Sequence, residues 1–575
     1  MKSVVPAIVA VLVCCGSCVE VNPELGKNLL PVWESGSVHS TEVSLGEVDI
    51  RMADSLSGFS DSRIVIGSIN EPTFGVVEKR SVVNLVPLFM KGDTLDLATF
   101  LDSASFRVKS FHLCVAADTT SWALSSQAPI LQNVYVNPLL SPIDPETDYD
   151  CNDVAGKIKV DKGRSIIKGT PVINGTDSLS FDFTEEYAME YVRGMDKAAA
   201  SDFSEYNKRF PGFCISTDPA KSEGGRIDMF KLQLGFDQSS GLTGNLAHLS
   251  LSYIPAAEAS KGEAARKDTS FTFYLGVDDF YDVDSLFTNS ATGSFPQHAL
   301  NLSTHGSRSK AAGAGNEILV EGGGGLKPVV RAVYLRETAR QIIRDSARVV
   351  YGREPSEEEI SAVIINKARL TFPFEYEDAM YETMYQYPAR LSPVCRIHSK
   401  DDTNLVTYAS LTDNSDENEN QGDIDRHNLA YSPDITYHLR EIVGMREGSD
   451  KMKSLLAGDY DVWLLCMANE TVTTTSSSDS DMSEYYQYLA YQNYYNSMYG
   501  GYGGYGYGGY GYGDSYSNYY SYMMASMYAS GSQTTTSSLM KLDPNRYYRA
   551  VLNGPSFAGR RPTLTISFTI PEVGE

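Results

Sequence analysis

Residues 563–570 alternate without a break, with Leu564, Ile566, Phe568 and Ile570 interleaved with Thr563, Thr565, Ser567 and Thr569. Side chains two residues apart share one face of a strand, so this run places large apolar groups on one side and hydroxyls on the other. The same period recurs where Phe111, Leu113 and Val115 alternate with Ser110, His112 and Cys114. It recurs again where Phe271, Phe273 and Leu275 alternate with Ser270, Thr272 and Tyr274. Arg63–Ser68, Ser81–Leu88, Asp461–Met467 and Tyr547–Leu552 read as further strands. Clusters of Gly, Pro, Asn and Asp separate these runs. The pattern predicts a mostly β fold, built of antiparallel β-sandwich domains rather than a parallel α/β sheet.

Helices are expected in only two places. Asp182 and Glu185 read as a capping box opening a helix through about Lys197. From about Leu335 to Val350, Leu335, Ala339, Ile342, Ile343 and Val350 share one face, with Arg and Asp on the other. Between the halves stand four glycines, Gly322-Gly323-Gly324-Gly325. They fit a linker, or a sharp turn where backbones approach closely. A phosphate loop is excluded by the missing Lys-Ser/Thr and by the lack of a following helix.

The first 17 residues read as a lipoprotein signal peptide. Lys2 is the basic end, Val4 to Val13 the apolar stretch, and Gly16-Ser17 the small residues before Cys18. That stretch is far short of the ~20 apolar residues that span a bilayer. Cys18 is the expected lipidation site, with Cys15, three residues after Leu12, as the other candidate. The remaining divisions are a tether and lead-in segment over 18–62, an N-terminal β domain over 63–321, and a C-terminal β domain over 322–575. The C-terminal domain contains a Tyr/Gly-rich, low-complexity insertion over 471–538, read as disordered. It holds 17 of the 37 tyrosines between Tyr485 and Tyr528, including Tyr499-Gly-Gly-Tyr-Gly-Gly-Tyr505. So much glycine specifies no packed core, while tyrosines suit a contacting surface.

The chain carries 73 acidic and 48 basic residues, a formal charge of −25. That argues against nucleic acid and against adsorption to anionic lipid, leaving the N-terminal lipid as the membrane contact. Beyond the leader stand Cys114, Cys151, Cys214, Cys395 and Cys466, too sparse and odd in number for a disulfide scaffold. Cys114 and Cys466 read as buried thiols. The histidines, scattered from His39 to His438, form no metal-spaced pair, and there is no Gly-x-Ser-x-Gly elbow. The acidic stretch Asp413 to Asp425 has His427 where a calcium loop counted from Asp416 needs Glu, so it reads as a solvated loop. Asp278, Asp279, Asp282 and Asp284 read as a turn or helix start. No catalytic residue, cofactor or metal site is expected, and no enzymatic role.

Several motifs in order resemble the Bacteroidota lipoproteins grouped as "domain of unknown function 4270". After Cys18 come Asn22-Pro23-Glu24-Leu25-Gly26 and Leu29-Leu30-Pro31. Ile66-Gly67-Ser68, Phe74-Gly75, Phe210-Pro211-Gly212-Phe213-Cys214-Ile215 and Glu321 to Pro328 follow. The series ends with Ile365-Asn366-Lys367-Ala368-Arg369-Leu370, Tyr387-Pro388-Ala389-Arg390-Leu391, Tyr431 to Thr436, Tyr548 to Gly554 and Pro562 to Ile566. The resemblance implies an exported, lipid-anchored, mostly β protein facing outward from the outer membrane, and supplies no catalytic residue. The expected function is a structural or interaction role, accessory to an envelope assembly or export machine, with an outer-membrane protein as partner. The alternative is a glycan- or peptide-binding surface lipoprotein using tyrosines or Trp33, Trp122 and Trp463. Three tryptophans supply a sugar platform poorly, and Trp463 reads as core.

Overall fold

The computed structural model describes residues 36–60, 63–88, 95–122, 131–144, 147, 149–154, 156–232, 234–237, 241–276, 292–295, 299–375, 385–398, 406–415, 420–475, 534–543 and 545–571. The signal peptide, Cys18, Trp33, His298 and Asp278 to Asp284 lie outside them. The fold is mostly strand, in several sheets paired antiparallel throughout, with few helices. No described helix is long and apolar enough to cross a membrane.

The largest sheet has 13 strands and is organised around Gly75–Pro87. The first part of this strand pairs with Arg63–Glu71 and Ala299–His305. Its second part pairs with Phe213–Thr217 and Lys267–Gly276. The second part of the strand is enclosed, and Ser81 through Pro87 are all buried. One face of this sheet carries Phe111, Phe183, Phe213 and Phe273 against Tyr187 and Tyr191 of the helix Glu185–Gly194, and against Tyr206 and Phe210. Tyr191 stacks on Phe210 at 4.2 Å and meets Phe273 edge-on at 5.3 Å. Thr184, not Asp182, caps that helix, accepting from the Tyr187 N–H. Asp182 is the last residue of the strand Leu179–Asp182, and the helix stops at Gly194 rather than Lys197.

The other half packs aliphatic side chains between a seven-stranded sheet, a five-stranded sheet and two helices, Ala332–Tyr351 and Thr436–Val443. Thr563–Pro571 behaves as its alternation predicts, with Leu564, Ile566, Phe568 and Ile570 buried. Asn366 is the extra residue of a bulge opposite Thr563–Pro571, and it stays exposed while Ile365 and Ala368 go inward. The long helix departs from the expected polar face. Arg336 and Arg340 lie inward, and they donate to the carbonyls of Ile442, Met445 and Val443 at 3.0–3.1 Å. Ile442 and Val443 end the shorter helix and Met445 follows just beyond it, so guanidinium donors add to the backbone bonds that close this C-terminus.

Two expected boundaries are corrected. The second half of the 18–62 segment is not a tether. Gly36–Ser44 pairs along its whole length with Thr563–Pro571, and Asp49–Met52 pairs with Leu326–Val330. Nor does the C-terminal unit start at 322, because Glu317–Glu321 pairs with Arg549–Asn553. The aliphatic half therefore recruits residues 36–52 and 312–321 from the N-terminal side of the glycines.

Candidate functional site

The four glycines form a tight turn between Glu317–Glu321 and Leu326–Val330, and the turn wraps a lysine. Lys327 is fully buried, and its ammonium donates to the carbonyls of Glu321, Gly323 (2.9 Å) and Gly325 (3.1 Å). A Cβ on Gly322 would lie 2.7 Å from the Arg546 carbonyl oxygen, and one on Gly324 would lie 2.2 Å from the Asn152 amide. Close approach, rather than linker freedom, explains these glycines.

Glu321 is the second member of the site. Its carboxylate accepts from the Leu326 N–H at 3.2 Å, from the Ser307 hydroxyl and from His305 Nδ1 at 3.3 Å. Burial alone would raise its pKa. The hydrogen bonds from His305, Ser307 and Leu326 outweigh that and hold it below the usual range. Burial keeps the His305 imidazole neutral, with its pKa below the ordinary value. Lys79 is buried nearby and, like Lys327, has its pKa lowered chiefly by burial. Cys466 donates through its sulfur to the Glu321 carbonyl at 3.4 Å, and burial pushes both Cys466 and Cys151 up to about 11. At neutral pH these thiols are protonated and weakly nucleophilic.

A chain of amides continues the site. Ser81 and Asn301 share a hydrogen bond, and Asn301 donates at 3.0 Å to Asn545. Arg549 pairs with Glu71 at 2.5 Å, and Arg396 pairs in bidentate fashion with Asp54 at 2.7–2.8 Å. Apart from the Ser81–Asn301 bond, each of these contacts joins a residue before 322 to one after it. The cluster is an ionic junction that fixes one half of the molecule on the other. Sequence reasoning singled out its glycines but missed Lys327, Glu321, His305 and Lys79. The available signal was a charge on each side of the glycines, Glu321 and Lys327, inside otherwise apolar runs.

Other expected features fall outside this junction. The five cysteines among the described residues are unbridged; Cys466 is buried as expected, but Cys114 is exposed, since it alternates with the inward Leu113 and Val115. Trp463 is core, packed with Val329, Val394 and Leu465. Asp413 is buried and accepts from the Tyr437 and His438 N–H groups, capping Thr436–Val443, so the acidic loop is not wholly solvated. Asp423 pairs with Arg390, and residues 416–419 lie outside the described residues. Among the described residues no three His, Cys, Asp or Glu side chains gather as a metal site. A cavity of about 240 Å³ is lined by Arg51, Arg331, Arg396, His398 and Trp463, with each arginine already paired to a carboxylate.

The insertion has a built base. Val462–Thr475 pairs with Arg390–Cys395 only as far as Met467. From there it pairs with Thr534–Leu542, in register from Met467↔Leu542 to Thr475↔Thr534. Residues 471–475 and 534–538, expected inside the insertion, are therefore strands of a two-stranded ribbon. Residues 476–533 lie outside the described residues. No family model, curated protein or solved structure matches this chain.

Proposed function

We propose that this chain is a lipid-anchored outer-membrane surface protein with a structural or interaction role, and that its ribbon carries the Tyr/Gly-rich segment to an outer-membrane protein partner. The observation that carries this reading is the ribbon. Past Met467 it leaves the Arg390–Cys395 strand, so the residues between Thr475 and Thr534 join its two strands at the far end. A rigid body beneath a contacting segment lets that segment bind without unfolding its support. The ionic junction suits this, because it locks both halves to one another. The Cys18 signal, the acidic surface and the family resemblance support export, anchoring through an N-terminal lipid and an outward face. The glycan-binding alternative is disfavoured by the burial of Trp463.

The test replaces residues 476–533 with a two-residue turn in the full-length, acylated protein. The expected result is a melting midpoint at or slightly above the parent value, since shortening a loop lowers its closure cost. An outer-membrane protein that co-purifies with the parent should be lost. Unchanged co-purification would overturn the reading, as would a collapse of the midpoint, which would make the tyrosines part of the core.

A further inference from the structure

We propose that Ser180, His112 and Asp182 form an acyl-transfer site on the open face of the large sheet, acting on short acyl esters of small polar molecules. Leu179–Asp182 is the terminal strand of that sheet and pairs with Ser105–Val115, placing Ser180 opposite Cys114 and Asp182 opposite His112. Leu179, Phe181, Leu113 and Val115 fill the core, so alternation turns Ser180, Asp182, His112 and Cys114 outward together. The contacts are those of a nucleophile, a base and an orienting acid. Ser180 Oγ lies 3.2 Å from His112 Nε2, and His112 Nδ1 lies 2.8 Å from Asp182 Oδ1. With Nδ1–H donated to the carboxylate, Nε2 is left to accept the serine proton.

The backbone explains why three residues from two strands meet. Phe183 N–H donates to Phe111 O, toward the neighbouring strand, whereas Asp182 O accepts from Lys168 N on the opposite side. Asp182 and His112 are therefore a non-hydrogen-bonded cross-strand pair, the kind whose side chains stand closest. Ser180, two residues earlier, also directs its N–H away from the neighbouring strand. That backbone donor is the one the proposal assigns to the oxyanion. The neighbouring outward groups are polar. His248 lies opposite His112 and contacts Thr272 Oγ1 at 3.3 Å, and Ser250 meets Ser270 at 3.4 Å. A face whose described outward groups are hydroxyls and imidazoles fits a small hydrophilic ester rather than a lipid.

The chemistry needs only water. Ser180 Oγ bonds to the ester carbonyl carbon while its proton passes to His112 Nε2. Collapse of the tetrahedral adduct breaks the carbon–oxygen bond to the alcohol, which leaves with that proton. Water then attacks the acyl-serine, gives its proton to His112 Nε2, and the carboxylic acid departs as the proton returns to Ser180.

The test incubates the full chain in detergent with a fluorophosphonate probe, and in parallel with p-nitrophenyl acetate, mapping modified residues by mass spectrometry. Expected is labelling of Ser180 well above that of Ser250, a half-buried serine on the same face of the sheet. Ser180→Ala should abolish it, and His112→Asn should slow it by about a hundredfold. Asp182→Asn should slow it less, and Cys114→Ser should leave it unchanged. The side chains are outward, so matching melting midpoints certify the variants. Labelling of Ser180 no faster than Ser250, or ester turnover surviving in Ser180→Ala, overturns the proposal. Loss of labelling in Cys114→Ser alone overturns it too, since the nucleophile would then be the thiol.

Discussion

The ionic junction and the aromatic core hold the same molecule together by opposite means. At the junction, Lys327, Glu321, His305 and Lys79 are buried groups held by a few directional contacts. In the aromatic core, Phe111, Tyr191, Phe210 and Phe273 share many weak contacts, with ring centroids 4.2–5.5 Å apart. Removing one partner of a buried charge strands the other, whereas removing part of a ring costs only that part. The junction should fail abruptly and the core gradually.

The largest expected effect is therefore Glu321→Ala, which leaves Lys327 without its carboxylate neighbour and the buried Ser307, His305 and Leu326 donors without their acceptor. A loss of about 3–5 kcal/mol is expected, read by denaturant unfolding. Adding Lys327→Met should recover part of that loss. If the double variant is as unstable as the sum of the singles, the two residues do not act as one unit.

The two regions should also respond to opposite ends of the pH scale. His305 and Glu321 have folded-state pKa values below their ordinary 6.5 and 4.5. The unfolded chain then takes up protons first, so their contribution is complete above those values and is lost as pH falls, at about 1.4 kcal/mol per unit of depression. Tyr187, Tyr191 and Tyr206 are held by burial well above their ordinary 10.0. Their contribution is complete below pH 10 and is lost as pH rises past it. Midpoints measured from pH 4 to 11 should fall at both ends. His305→Gln should flatten the acid limb and Tyr191→Phe the alkaline limb; a variant that flattens the other limb would dissolve the contrast. Within the core, Phe273→Leu keeps an apolar body and should cost about 1–1.5 kcal/mol.

The aromatic core was legible in the sequence and the junction was not, for a physical reason. Phe111-x-Leu113-x-Val115 reports its own inward face because local alternation and burial agree. Lys327 and Glu321 are defined by what they meet: a turn around one, and residues 14 to 16 positions upstream around the other. Local pattern treats such charges as surface. The same blindness turned Arg336 and Arg340 outward, since their partners belong to a helix about 100 residues later. The register that brings Ser180 to His112 spans 68 residues and left no local mark either. The β class, Trp463 as core and a loop between paired strands could be read because each depends on neighbours in sequence.

The smallest expected effect lies on the surface of the aromatic half. Arg164 and Glu190 form an ion pair on the outer side of the helix that carries Tyr187 and Tyr191, with side chains 42% and 46% exposed. If that helix were held by its outer charges, Arg164→Ala would loosen Tyr191 from Phe273. An exposed pair gains little in high dielectric and gives up side-chain entropy to form, so it contributes at most about 1 kcal/mol and is screened by salt. The inner face instead places Tyr187, Ala188, Tyr191 and Val192 in the core. Arg164→Ala should therefore leave the unfolding midpoint close to the parent's in both low and high salt. A loss comparable to that of Phe273→Leu, disappearing at high salt, would show that charge as well as ring packing seats this helix. The contrast between the two regions would then be one of degree.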